Sequence, residues 1–64
     1  MTNAEKLDQF LKNLPQIKYS NTLLALSDYL EVSWFVLYHY RKGTTHMRKS
    51  TLNDIEKFFN EKIF

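Results

Sequence analysis

Apolar side chains recur every three or four residues through this 64-residue chain, and only one Pro and one Gly interrupt them. That spacing marks one face of an α-helix, because 3.6 residues complete a turn. Ala4, Leu7, Phe10, Leu11 and Leu14 form the first stripe, with Lys6, Asp8, Gln9, Lys12 and Asn13 on the other side. Thr2 and Glu5 have the spacing of a capping box, and Pro15 disfavours helix at the residue before it, so the first helix is predicted over Asn3 to Leu14. Pro15 to Asn21 reads as a connector in which Ile17 and Tyr19 cover the edge of the core. A second stripe, Leu23, Leu26, Ser27 and Leu30, follows the capping candidates Ser20, Asn21 and Thr22. A third, Val36, Leu37 and Tyr40, starts at the cap Ser33 and ends at Gly43, the residue best suited to the left-handed turn that closes a helix. Only Glu31 and Val32 lie between the second and third helices, which forces them to meet steeply with Val32 in the corner. The last stripe, Leu52, Ile55, Phe59 and Ile63 with Phe58 beside it, is capped by Ser50 or Thr51 and closes the core. The expectation is an all-α, compact domain of four or five helices spanning residues 1–64.

A chain this short buries only about 60% of the surface that its unfolded form exposes, and its ten aromatic residues help to build the core. The absence of Cys excludes a disulfide framework, a thiolate nucleophile and any Cys-based metal site. Met1 to Asn13 lacks the apolar core of a signal peptide, and the run Trp34 to Tyr38 is far short of a membrane span. A soluble, cytoplasmic protein is therefore expected, with no membrane partner.

The net charge of +2 is unevenly distributed. Residues 1–31 sum to −1 and residues 54–64 to −1, whereas residues 32–53 carry Arg41, Lys42, Arg48 and Lys49 with no acid, a balance of +4. Such a segment is either an ordinary solvated face or the footprint of a phosphate-binding surface.

The stretch LLALSDYLEVSWFVLYHYRKG, Leu23 to Gly43, resembles the helix-turn-helix of the phage-repressor class, the XRE or Cro-like family. Leu26, Ser27, Leu30, Val32, Ser33, Leu37 and Tyr40 match that family's core positions, with the small Ser27 where the helices touch. Arg41, Lys42 and Gly43 are similar to its charged exit, and Ser50, Leu52, Ile55 and Phe58 to its closing helix. The resemblance places the helix-turn-helix core at about residues 22–43. The family's turn usually carries Gly where this chain has Glu31, its second helix often starts with Gln where this chain has Leu23, and its outward recognition positions are usually polar where this chain has Trp34, Phe35, Tyr38 and His39.

What the resemblance implies is a small transcriptional regulator, repressor-like, that binds double-stranded DNA as a homodimer with its third helix in the major groove. Setting Val36, Leu37 and Tyr40 inward turns Trp34, Phe35, Tyr38 and Lys42 outward, with His39 at the margin. The expected DNA contacts are Ser33, Trp34, Phe35, Tyr38 and His39 in the groove, and Lys42, Thr44, Thr45, Arg48 and Lys49 on phosphates. Asn21 and Thr22 are expected to meet another phosphate at the start of the second helix. Arg41 either joins them or pairs with an acid such as Glu31 or Asp28. Trp34 and, less readily, Phe35 can also be read as core, and Phe64 as spare apolar surface that a dimer covers.

A second class of function fits the same residues. An exposed Trp34, Phe35 and Tyr38 surface is what protein hot spots prefer, so the chain also reads as a protein-binding module, such as an antirepressor acting on a partner regulator. Catalysis is not expected: Ser27, Asp28 and His39 have the residue types of a hydrolytic triad, but Ser27 falls on the core face and nothing builds an oxyanion hole. His39 and His46 without cysteine make a poor metal site, and no cofactor is implied.

Overall fold

The computed structural model describes all 64 residues and contains four helices and no strand: α1 (Asn3–Lys12), α2 (Gln16–Leu30), α3 (Trp34–Lys42) and α4 (Lys49–Phe59). The all-α expectation holds. α1 packs on α3, and α2 packs on both α3 and α4. No helix is long and apolar enough to cross a membrane.

Each helix begins and ends for a local reason. At α1 the capping box is complete: Glu5 N–H donates to Thr2 Oγ1 at 3.1 Å, and Thr2 N–H donates to Glu5 Oε1 at 3.0 Å. Those bonds hold the Glu5 carboxyl below its usual range, the backbone bond from Thr2 contributing most. The helix ends at Lys12, earlier than the expected Leu14. α2 starts at Gln16, directly after Pro15, so the expected connector Pro15 to Asn21 is helix instead. Proline lacks the N–H that a helix start leaves unpaired anyway, and none of the seven residues 16–22 is a breaker, so winding begins at once. Ile17 does not cover the core's edge; it is 89% exposed. Tyr19 is half-buried.

The turn between α2 and α3 is made of Glu31, Val32 and Ser33. Glu31 is left-handed, at φ 56° and ψ 38°. Its N–H donates to Asp28 O at 3.1 Å, and Val32 N–H donates to Ser27 O at 3.0 Å, which closes α2 and swings the chain away. Ser33 Oγ then accepts from Val36 N–H at 3.3 Å and starts α3 as its cap. Gly43, at φ 79°, ends α3.

α4 is capped neither by Ser50 nor by Thr51, both of which lie inside its first turn; Arg48 holds the cap position without a side-chain bond. Packing sets this start, because buried Met47 and core-packed Leu52 occupy the N′ and N4 positions of a hydrophobic staple. The helix stops at left-handed Asn60, so Ile63 is not on its stripe. Ile63 and Phe64 are nonetheless held against the core, both of their N–H groups donating to Glu56 Oε2, at 2.8 and 3.0 Å. Phe64 is thus half-buried and packed, not spare surface.

Leu7 and Leu11 of α1, Leu26 of α2, Leu37 of α3, Met47 of the following loop and Ile55 of α4 form the buried core. Ser27 is buried among them, its Oγ–H donating to Leu24 O at 2.8 Å, so the small side chain leaves no polar atom unpaired.

Candidate nucleic-acid interface

α3 is held at three points, and these decide which face it turns outward. Ser33 fixes its start and Gly43 its end, while buried Leu37 and half-buried Val36 and Tyr40 lie inward. The opposite side carries Trp34 at 65% exposure, Phe35 at 55% and Tyr38 at 45%. The alternative that Trp34 and Phe35 are core is therefore wrong. With the inner stripe already filled, the helix has no second face to bury.

The outward rings form one continuous cluster. Trp34 meets Phe35 edge-on at a centroid distance of 5.7 Å, Phe35 meets His39 at 4.8 Å, and His39 meets Tyr38 at 5.7 Å. Such edge-to-face contacts suit the ring quadrupoles and hold the side chains as a surface. His39 is half-buried, with Nδ1 at 2.7 Å from Thr44 Oγ1. That contact ties the loop back onto α3 and leaves Nε2 as the free ring nitrogen. Lys42 Nζ lies 5.5 Å from the centre of the Tyr38 ring, a cation–π contact that keeps its charge beside the aromatic face.

Arg41 is paired with neither Glu31 nor Asp28. Its Nε donates to Asp8 Oδ1 at 2.9 Å, and its Nη1 donates to the Tyr19 hydroxyl at 2.6 Å, binding α3 to α1 and α2. Lys12 Nζ contacts the other Asp8 oxygen at 2.9 Å. Desolvation pushes the Asp8 carboxyl up, but the bonds and charges of Lys12 and Arg41 outweigh it and hold the group below the ordinary aspartate range. Asp8, Lys12, Tyr38, Arg41 and Lys42 together line a groove of about 290 Å³ at the foot of the aromatic cluster. Three cations against one carboxylate leave it positive by two charges. Nothing in the spacing of α1 relates Lys12 to α3, so its place at this surface is not legible in the sequence.

Arg48 and Lys49 stand exposed at the start of α4, with no ion pair. The first turn of this helix has no acid and no side-chain cap, so its free N–H groups and the positive end of its dipole meet two more positive charges. That arrangement favours an anion. Thr45 is exposed, and it shares a small hollow with Thr2, Asn3, Ala4, Gly43, His46 and Met47. No hydrogen bond or ring contact joins Thr45, Arg48 or Lys49 to the aromatic cluster.

Asn21 and Thr22 do not belong to this surface. They lie in the middle of α2, not at its start, and line a groove with Leu14, Lys18, Ala25, Phe58 and Phe59. Their amides are committed within the helix and have no N-terminal charge to offer a phosphate. Ser33 stands at the start of the α3 face, but its Oγ already accepts the Val36 N–H.

In comparisons with known proteins, no family model, curated protein or solved structure matches this chain.

Proposed function

We propose that the chain is a small transcriptional regulator of the phage-repressor, helix-turn-helix kind, acting in the cytoplasm on duplex DNA through α3. The observation that carries this reading is the exposed face of Trp34, Phe35 and Tyr38 with Lys42 beside it; Arg48 and Lys49 at the start of α4 add two further cations without an acidic partner. The left-handed Glu31 between α2 and α3 supports it, because the turn separates α3 from α2 and leaves one side of α3 free. The phosphate contacts fall to Lys42, Arg48, Lys49, the uncapped start of α4 and the surplus positive charge beside Tyr38. α3 has nine residues and is about 13 Å long, enough to cover roughly four base pairs. So short a reach is the reason to expect two copies on paired half-sites.

Salt titration of binding to a mixed-sequence duplex tests the reading. Neutralising three phosphates gives a log–log slope of about −2.7, and Lys42→Ala, Arg48→Ala or Lys49→Ala each lowers its magnitude by roughly one. A folded sample that binds no DNA at low salt would overturn it.

The aromatic cluster also favours a second reading, a protein partner such as another regulator, since contiguous Trp, Phe and Tyr surfaces are what protein interfaces use as hot spots. The two separate by variant. Arg48→Ala with Lys49→Ala weakens function through DNA, whereas loss only with Trp34→Ala and Phe35→Ala supports the partner protein.

A further inference from the structure

The exposed head of α3 carries little hydrogen-bonding capacity, and this limits what it can select on DNA. Phe35 has no polar atom, Trp34 has one donor, and neither can form the paired bonds by which Arg reads guanine or Asn reads adenine. His39 Nδ1 is engaged by Thr44, leaving single contacts from its other nitrogen and from the Tyr38 hydroxyl. Among the groups that base pairs present in the major groove, the C5 methyl of thymine is the one that offers substantial apolar surface. Seating Trp34 and Phe35 against guanine O6 and N7 or cytosine N4 strips those atoms of water without replacing its bonds, which is unfavourable. Against thymine methyls the same contact buries apolar surface on both sides.

We propose that Trp34 and Phe35 select duplex DNA by the C5 methyl groups of thymine. This rests on the duplex-DNA reading above, and the two fail differently. The mutual edge contact of the two rings at 5.7 Å presents them as one surface, so one or two adjacent methyls are the natural target.

The test compares two 24-base-pair duplexes, alternating dA and dT or the same with deoxyuridine in place of thymidine, which removes only the methyls. Binding of the full chain is followed by duplex anisotropy and by quenching of Trp34, the only tryptophan. Burying a group of this size is worth about 0.8 kcal/mol, or roughly fourfold in affinity. The wild-type chain is therefore expected to prefer the thymine duplex by about fourfold for one methyl and about sixteenfold for two. Trp34→Ala and Phe35→Ala bring that ratio towards one while phosphate-driven binding persists. Equal wild-type affinity for the two duplexes overturns the inference and leaves the DNA reading standing. A thymine preference that survives in both variants also overturns it, because another group is then the reader. Absence of binding to both duplexes at low salt removes the DNA reading itself.

Discussion

Replacing Glu31 by Gly tests the corner on which the exposure of α3 depends. Glu31 occupies the left-handed region at φ 56° and ψ 38°, and its exposed side chain makes no hydrogen bond or ion pair. A non-glycine residue held there is strained by about 1 to 2 kcal/mol. Glycine relieves the strain but gives the unfolded chain more freedom, which offsets about 0.4 to 1 kcal/mol. The net expectation for Glu31→Gly is a gain centred on about 0.8 kcal/mol, or roughly 6 °C in Tm for a domain of this size. Glu31→Ala is the control: alanine is as strained as glutamate, so its stability stays near wild type. Circular dichroism melts and urea titrations at constant slope measure both. The sign is decisive. If α2 and α3 formed one continuous helix, glycine at this interior position would instead destabilise by about 1 kcal/mol relative to alanine. A lower midpoint for Glu31→Gly than for Glu31→Ala would refute the corner.

Three further outcomes are expected. The folded Asp8 carboxyl titrates below its unfolded value, so its stabilising contribution is present above about pH 4 and lost as pH falls through the folded pKa; Asp8→Asn should flatten the acid limb of the stability profile, and an unchanged limb counts against the contacts with Lys12 and Arg41. Glu56 is held below its usual range chiefly by the backbone N–H of Phe64 and then of Ile63; Glu56→Ala should speed hydrogen exchange at those two amides without altering exchange in the middle of α2. Leu37→Ala removes a buried side chain that joins α3 to the core and should cost about 2 to 5 kcal/mol, as much as a domain this small is expected to have, so a cooperative melt near the wild-type midpoint would contradict the packing.

The helices were legible because their signals are local. The capping box of Thr2 and Glu5, the cap Ser33, the terminator Gly43 and the core stripe through Leu7, Leu11, Leu26 and Leu37 each act within a turn or two of themselves. The misreadings come from choices that local preference does not settle. Ser20, Asn21 and Thr22 look like a helix start, yet as interior residues they are only weak helix formers, and Pro15 had already offered a start seven residues before Thr22. Ser50 and Thr51 are better caps than Arg48, but burial of Met47 fixes where the chain enters α4, and a lone apolar residue in a polar loop has no period to reveal it. The bond from Arg41 to Asp8 spans 33 residues, beyond the reach of any helical spacing. The outward set of α3 was readable from its inner stripe, whereas its ring contacts and the positive groove beside Tyr38 needed the packing of α1 against α3.

Folding gives no reason for the exposed positions of α3 to carry three aromatic residues. A domain of this size is short of buried apolar surface, and Trp34, Phe35 and Tyr38 are among its largest side chains, yet the core is filled by leucines with one methionine and one isoleucine. Rotating α3 to bury them would withdraw Leu37, break the Arg41 bond to Asp8 and move Ser33 and Gly43 out of their capping positions. The same contacts that stabilise the fold therefore hold the aromatic face outside. Ile17 and Leu24 are exposed too but belong to no ring cluster, and exposed Tyr29 packs on half-buried Phe58, a ring held against the core; apolar residues exposed singly in this way are ordinary on a protein surface. A contiguous aromatic surface bordered by Lys42 is a different case, because its exposure is enforced by the caps at both ends of the helix and by the bond from Arg41 to Asp8 of α1. That makes α3 the element on which a binding function is best sought.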